Sequence, residues 1–254
     1  MTKTKITMQK LTGILESFGF KHSGKALADL LEKADVEEQT HRDFLMDLLE
    51  TEVRGRNDKR RIRNYSAAHF PPNIKTLEEF VPEELESGIT DGQIQHLKEL
   101  TWLDSFGNLV FAGPPGLGKT MLALGFGYHA VNEGYTVCFE SMNRFIGILD
   151  KADYDRKAGF RLKYIRKSQL LIIDECGYTP ITSKQANMFY TFITETYENT
   201  SMIFTTNKEI PEWAETMGDP VLTSALLERI LCGARCFSLK GESYRLRHPE
   251  LFLG

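Results

Sequence analysis

Eight residues, Gly113-Pro-Pro-Gly-Leu-Gly-Lys119-Thr120, constrain this chain more than any other stretch. They fit G-x-x-x-x-G-K-[ST], a loop whose glycines let successive backbone N–H groups converge on phosphate oxygens. The flanking sequence supplies the context such a loop needs. Asn108-Leu-Val-Phe-Ala112 reads as a short buried strand, and Met121-Leu-Ala-Leu-Gly-Phe126 as the first turns of a helix packed on a sheet. The positive end of that helix adds to the attraction for an anion. Gly113, Pro114, Pro115, Gly116, Leu117 and Gly118 are therefore the expected cradle of a nucleoside triphosphate. Lys119 is expected between the β- and γ-phosphates, and the Thr120 hydroxyl as a ligand of Mg²⁺.

From residue 108 onward strands and helices alternate, which predicts an α/β fold with a mostly parallel sheet and helices on both faces. Strands are expected at 108–112, 135–139, 169–174, 201–205 and 235–239, and helices at about 119–132, 141–151, 183–198 and 220–231. Leu170-Leu-Ile-Ile-Asp174-Glu175 is four apolar residues followed by two carboxylates. A strand buried on both faces would present that pair at its C-terminal edge, where ligands bind in such sheets. Asp174 is the expected holder of Mg²⁺ through its water shell, and Glu175 the group that polarises the attacking water. Ile203-Phe-Thr-Thr-Asn207 is a further strand with a polar end. Asn207 is either a turn residue before Lys208-Glu-Ile-Pro211 or an amide aimed at the γ-phosphate; the two motifs before it favour the catalytic role. Arg229 lies near the end of a helix, where it either caps carbonyls and pairs with Glu228 or reaches a neighbouring subunit's ATP as an arginine finger. The residues alone leave both open.

The first 65 residues read as a small helical domain. Met8, Leu11, Ile14, Leu15 and Phe18 recur at helical spacing before Gly19, Ser23 is placed to cap a second helix, and Phe44, Leu45, Leu48, Leu49 and Val53 form the stripe of a third starting near Thr40. Pro71 and Pro72 then break the helix, so 66–90 is expected as a linker and lead-in segment and 91–254 as the nucleotide-binding domain. Thr90 or Asp91 should cap one helix through Ile94, Leu97, Leu100 and Leu103 that leads into the first strand. A chain of 254 residues holds such a pair of domains, and at 41% hydrophobic and 26% charged it has ordinary globular composition. No apolar run approaches the roughly 20 residues of a membrane span, and the N-terminus has no signal-peptide core, so a cytoplasmic protein without membrane contact is expected. The cysteines 138, 176, 232 and 236 suit reduced thiols; the last two lack a second pair for a zinc site.

Net charge is −4, divided as +2 over 1–66 and −6 over the rest, so any nucleic-acid contact must come from local patches. Two exist. Arg54, Arg56, Lys59, Arg60, Arg61 and Arg63 place six cations in ten residues, equally a solvated helix end and a phosphate contact. The stretch 151–167 holds Lys151, Arg156, Lys157, Arg161, Lys163, Arg166 and Lys167 against two acidic residues, with Tyr154, Phe160 and Tyr164 interleaved. That density of charge with aromatics favours a groove that tracks a DNA backbone.

Taken in order, the helical N-terminal region, Phe70-Pro-Pro, Thr76-Leu-Glu-Glu-Phe80, Leu109-Val-Phe-Ala-Gly-Pro-Pro-Gly, Leu171-Ile-Ile-Asp-Glu, Thr205-Thr-Asn and Gly241-Glu-Ser-Tyr-Arg245 resemble the IstB/DnaC-like branch of the AAA+ P-loop ATPases, and within it the IstB-like family of insertion-sequence helpers. The match spans nearly the whole chain. It implies an AAA+ core behind a small all-α domain, with ATP and Mg²⁺ as cofactors. It implies an ATPase that forms an ATP-dependent homo-oligomer on duplex DNA and delivers an IstA-like transposase to target sites in DNA transposition. It carries Lys119, Thr120, Asp174, Glu175 and Asn207 over as nucleotide-site residues, Arg229 as the finger, and 151–167 as a DNA-gripping region; the N-terminal domain becomes a partner-contact module. The chain departs from many AAA+ proteins after Tyr244-Arg-Leu-Arg247, where no full helical lid domain is expected, leaving Arg235 and Arg245 open as the second sensor. A DnaC-type helicase loader is the alternative, and a small-molecule kinase fits Glu175 and Asn207 least.

Overall fold

Five short apolar runs can bury their backbones only by pairing with one another, and in the computed structural model, which describes residues 7–213 and 220–247, they do. Strands β1 (Asn108–Ala112), β2 (Val137–Ser141), β3 (Leu170–Cys176), β4 (Ser201–Thr206) and β5 (Ala234–Ser238) form one parallel sheet in the order β2-β3-β4-β1-β5. β1, which leads into the phosphate loop, lies between β4 and β5, and β3 and β4 are neighbours. The expected strands are all present, β1 with its expected bounds and the others with ends within two residues of them.

Side chains alternate across the sheet and build two cores. On one face Leu109, Phe111, Leu170, Ile172 and Ile203 pack with Leu122 and Phe126 of α6 (Lys119–Asn132). On the other, Val110, Leu171, Ile173, Met202 and Phe204 pack with α7 (Met142–Lys151), α9 (Ser183–Thr196) and α10 (Pro220–Leu231) through Phe145, Phe189, Phe192 and Ile230. Between β2 and β3 lie α7 and a separate short helix, α8 (Arg156–Ile165), which begins where the Asp155 carboxylate accepts the N–H groups of Lys157 and Ala158. The single helix expected through Leu103 is broken at Leu100, which takes a left-handed conformation (φ +59°), so a separate short α5 (Thr101–Asp104) precedes β1; α11 (Tyr244–Arg247) follows β5. α4 (Asp91–Lys98) is capped by Thr90 in a reciprocal pair with Gln93, as its sequence anticipated.

The chain divides into two compact units, Met1–Arg63 and Asn64–Gly254. The first contains α1 (Met8–Ser17), α2 (Lys21–Val36) and most of α3 (His41–Ala68). Two details differ from the sequence expectation. Ser23 does not cap α2, which starts two residues earlier; its side chain instead donates to the Leu48 carbonyl (2.6 Å). The cap comes from Glu52, which is buried and accepts the His22 and Ser23 N–H groups (2.7 and 3.0 Å) while pairing with Arg56 (2.8 Å). Of the α3 stripe, only Leu48 is buried, whereas Leu45, Leu49 and Val53 remain exposed.

In the second unit α3 continues to Ala68, where Asn64 donates to the carbonyls of Gly134 and Tyr135. Residues 69–90 are more than a connector. Leu77 and Ile89 are buried, and Phe70, Phe80 and Leu85 pack against the same core as β1, with Leu77 and Phe70 lying against Gly125 and Gly127 of α6. No helix among the described residues is long and apolar enough to cross a membrane.

Candidate nucleotide site

The C-terminal ends of β1, β3 and β4 converge on a cleft of about 300 Å³. Its floor is the loop 113–120. Gly113 (φ +138°) and Gly118 (φ +83°) hold backbone conformations that side-chain-bearing residues rarely adopt. Space is equally restrictive, since a Cβ on Gly113 would collide with the Leu239 carbonyl and one on Gly118 would stand 2.7 Å from the Phe80 ring. The loop is thus clamped between 69–90 and the segment after β5. That later segment donates the Tyr244 N–H to the Gly116 carbonyl (3.0 Å) and pairs Lys240 with Ser87 in an antiparallel bridge.

Lys119 is almost fully buried, with its Nζ donating to the Gly113 and Pro114 carbonyls (2.7 and 2.6 Å). Burial lowers its pKa to about 8, with the Asp174 carboxylate opposing the shift and the Arg245 guanidinium adding to it. Thr120 Oγ1 donates to Asp174 Oδ1 (2.8 Å), which brings the hydroxyl expected on Mg²⁺ against the carboxylate expected in its outer shell. Two hard oxygen donors side by side, next to the loop 113–120, suit a hydrated Mg²⁺ carried in with phosphate.

At Asp174 and Glu175 the β3–β4 register shifts, and Glu175 takes a left-handed conformation (φ +62°). A bulge at a strand end re-aims side chains, and here it turns Glu175 out into the cleft while Asp174 stays buried. The bulge also frees the Glu175 N–H, which donates to Thr205 Oγ1 (3.0 Å); Thr205 Oγ1 in turn donates to Asp174 Oδ1. Thr205 lines the cleft with Asn207, which is exposed to it. Thr205 was not among the residues picked out from the sequence. The signal was present, because residues two apart on a strand share a face and Thr205 stands two before Asn207.

The structure brings Lys119, Thr120, Asp174, Glu175 and Asn207 together, with Pro115, Gly116, Leu117 and Gly118 in the lining. Phe80, Val81 and Leu85 give the cleft an apolar side, and Glu242, Tyr244, Arg245 and Arg247 another wall. Of the two candidate sensors, Arg245 faces the cleft and Arg235 sits on β5 outside the lining. Arg229 is also outside its own chain's cleft, donating to the Ala225 carbonyl (3.1 Å) with its guanidinium 5.0 Å from the Tyr190 ring centre.

The basic stretch is divided by the structure. Lys151, Arg156, Lys157, Lys163, Arg166 and Lys167 are exposed, Arg166 with an ion-pair partner in Glu195. Arg161 turns inward. It pairs with the fully buried Glu140 (2.6 Å) and donates to the carbonyls of Ala67, Ala68 and Phe139. A guanidinium committed to a buried carboxylate and to the last carbonyls of α3 is a structural tie, so Arg161 is not part of the exposed basic surface that the sequence predicted for 151–167. Charge counted along the sequence cannot tell which side of a helix faces the core. Cys138 and Cys176 are buried; Cys232 and Cys236 are exposed and free.

Residues 14–251 match the family described as IstB-like ATP binding protein. The chain is 34% identical over 243 residues to the insertion sequence IS21 putative ATP-binding protein of Pseudomonas aeruginosa, covering 96% of this chain and 91% of that one. It is 35% identical over 222 residues to the IS5376 putative ATP-binding protein of Geobacillus stearothermophilus, covering 87% and 88%. Among solved structures, DnaI superposes with a TM-score of 0.56 at 19% identity over 68% of this chain and 95% of that one. AMPPCP-bound DnaA from Aquifex aeolicus superposes with a TM-score of 0.52 at 18% identity over 73% and 58%. At such identities the likeness speaks for the fold.

Proposed function

This chain belongs to the IstB-like ATP-binding protein family, an AAA+ P-loop group encoded in insertion sequences, and from that premise we propose that it is a cytoplasmic, Mg²⁺-dependent ATPase that assembles as an ATP-bound multimer on duplex DNA and recruits an IstA-like transposase to target sites. The observation that carries this reading is the reach of the likeness. Insertion-sequence relatives match along 96% of the chain, through the N-terminal helical unit as well as the nucleotide core. Since the core is common to many AAA+ proteins, partner choice resides in the remainder.

The residues have definite tasks in this scheme. Lys119 exchanges the Gly113 and Pro114 carbonyls for β- and γ-phosphate oxygens, a stronger pairing because it is charged on both sides. Bound Mg²⁺, held by Thr120 and by Asp174 through water, would neutralise charge on the transferring phosphoryl group. Glu175 accepts the proton of the attacking water, and Asn207 orients that water or the γ-phosphate. Arg245, already within the cleft, acts as the second sensor. Arg229, outside its own cleft, reaches the γ-phosphate of an adjacent subunit. The exposed cations of 151–167 contact the DNA backbone, with an affinity that falls steeply with salt.

The test is sedimentation of the full chain with duplex or single-stranded DNA, without nucleotide, with ADP and with a slowly hydrolysed ATP analogue. Large assemblies on duplex of arbitrary sequence, formed only with the ATP analogue, are expected. Preference for single strands, or DNA binding only after a replicative helicase is added, would replace this reading with a helicase loader.

A further inference from the structure

α8 carries an aromatic residue that its packing does not need. Ala158 and Ile165 are buried and Leu162 is half-buried, so the core-facing side of this ten-residue helix is already supplied. Phe160 points the other way and is 59% exposed. It does not stand alone. Arg156 and Lys163, at i−4 and i+3, share its side of the helix, with their charged groups 5.4 and 6.0 Å from the centre of the ring. Lys157 is exposed one position along from Arg156, and Tyr154, 74% exposed, immediately precedes the Asp155 cap. The outer surface of α8 is thus an apolar ring held between two cations, on a helix whose inner surface is anchored by Arg161 to the buried Glu140.

That arrangement suits one ligand chemistry well. Two flanking cations match phosphates on either side of a base step, while the ring between them offers a planar apolar surface at the level of the bases. Cation–ring pairing keeps Arg156 and Lys163 extended beside Phe160, so the side chains are ordered before any ligand arrives. A surface for phosphates alone would gain nothing from burying its charges' reach behind an exposed phenyl ring. A protein partner with an acidic face would use the cations and leave the ring in water.

We infer that Phe160 is a wedge that enters a base step of duplex DNA while Arg156 and Lys163 hold the phosphates beside it, so that each bound subunit unstacks and kinks the duplex locally. This rests on the reading of the chain as a DNA-binding ATPase and adds a base contact where that reading has only backbone charge. Insertion between base pairs depends on stacking and step flexibility, so the wedge favours pyrimidine–purine steps over stiff A-tracts.

The test uses the full chain, the slowly hydrolysed ATP analogue, and a duplex with 2-aminopurine at one flexible step. Binding is followed by anisotropy across a salt series and unstacking by 2-aminopurine fluorescence. Wild type should raise the fluorescence. Phe160→Ala should abolish the rise and weaken binding on the order of tenfold, with the salt slope unchanged. Phe160→Leu, which keeps an apolar wedge, should retain part of both effects. Lys157→Ala should lower the salt slope by about one and leave the fluorescence rise intact. Phe160→Ala binding with wild-type affinity and wild-type fluorescence would overturn the wedge while leaving DNA binding standing. Absence of duplex binding by wild type in every nucleotide state would overturn both. Because Phe160 is exposed, ATP binding by Phe160→Ala serves as the check that the variant is folded.

Discussion

Thr120 and Asp174, 54 residues apart in sequence, meet across 2.8 Å, and the same Asp174 oxygen takes the hydroxyl of Thr205. Thr205 also accepts the Glu175 N–H, so one hydroxyl ties the Asp174 carboxylate to the Glu175 backbone at the end of β3. It holds the buried Asp174 in place and satisfies the N–H that the bulge removes from the sheet ladder. Thr205→Val keeps the shape and removes both bonds. Steady-state hydrolysis by this variant should fall roughly a hundredfold, with ATP affinity changed only a few-fold, because the loop 113–120 is untouched. Thr205→Ser should retain most activity. A Thr205→Val enzyme with normal kcat would show that the bulge holds Glu175 by itself. Chelation of Mg²⁺ should abolish hydrolysis in all three forms.

Lys119 titrates near 8 because it is buried and because Arg245 stands near it. Phosphate binding needs the charged ammonium, so ATP affinity should fall as pH rises through 8, approaching tenfold per pH unit above it, and protons should be taken up on binding there. Calorimetry in buffers of different ionisation enthalpy measures that uptake. Lys119→Ala should lose at least about tenfold in ATP affinity at pH 7. Arg245→Ala removes one cause of the depression, so the midpoint should move to higher pH while discrimination between ATP and ADP weakens. Arg235→Ala, on β5 outside the cleft, should change neither.

The nucleotide site was legible because its chemistry is local. A strand, eight residues and a helix make the phosphate cradle, and an apolar run ending in Asp174-Glu175 announces a buried strand with its acidic edge. What escaped was tertiary. Thr205 matters through a partner 31 residues away, and Glu52 caps α2 from 29 and 30 residues downstream, distances over which periodicity carries no information. Arg161 looked like its basic neighbours until the helix was seen to turn it toward Glu140. The docking of 69–90 was hidden behind Pro71-Pro72, which marks a helix end truthfully but says nothing of what the next twenty residues cover.

Glu52 gives the helical unit its own test. Burial alone would raise its carboxyl, but the Ser23 N–H, the Arg56 guanidinium and the His22 N–H together hold it below the ordinary 4.5. A depressed carboxyl contributes stability above the unfolded pKa and loses it as pH falls through the folded value. Glu52→Ala leaves the first N–H groups of α2 uncapped in a buried place and should cost the unit about 2 kcal/mol at pH 7. Denaturant unfolding of the full chain, followed by hydrogen exchange at α2, should show the gap between wild type and variant closing as pH drops below 4.5. A gap that persists unchanged at low pH would assign the loss to packing.

Arg229 is the residue whose role depends most on assembly. In the single chain it is occupied locally, by the Ala225 carbonyl and the Tyr190 ring, and takes no part in the cleft. If it completes the site of a neighbour, Arg229→Ala should bind ATP normally yet hydrolyse it about 10³-fold more slowly in the assembled state. Lys119→Ala should be inactive for the complementary reason, because its own loop lacks the ammonium that holds the β- and γ-phosphates. Mixing the two variants on DNA then creates interfaces in which an intact loop faces an intact Arg229, and activity should return to a fraction set by the mixing ratio. A mixture as inactive as its parts, with assembly demonstrated by sedimentation, would place the action of Arg229 within its own subunit.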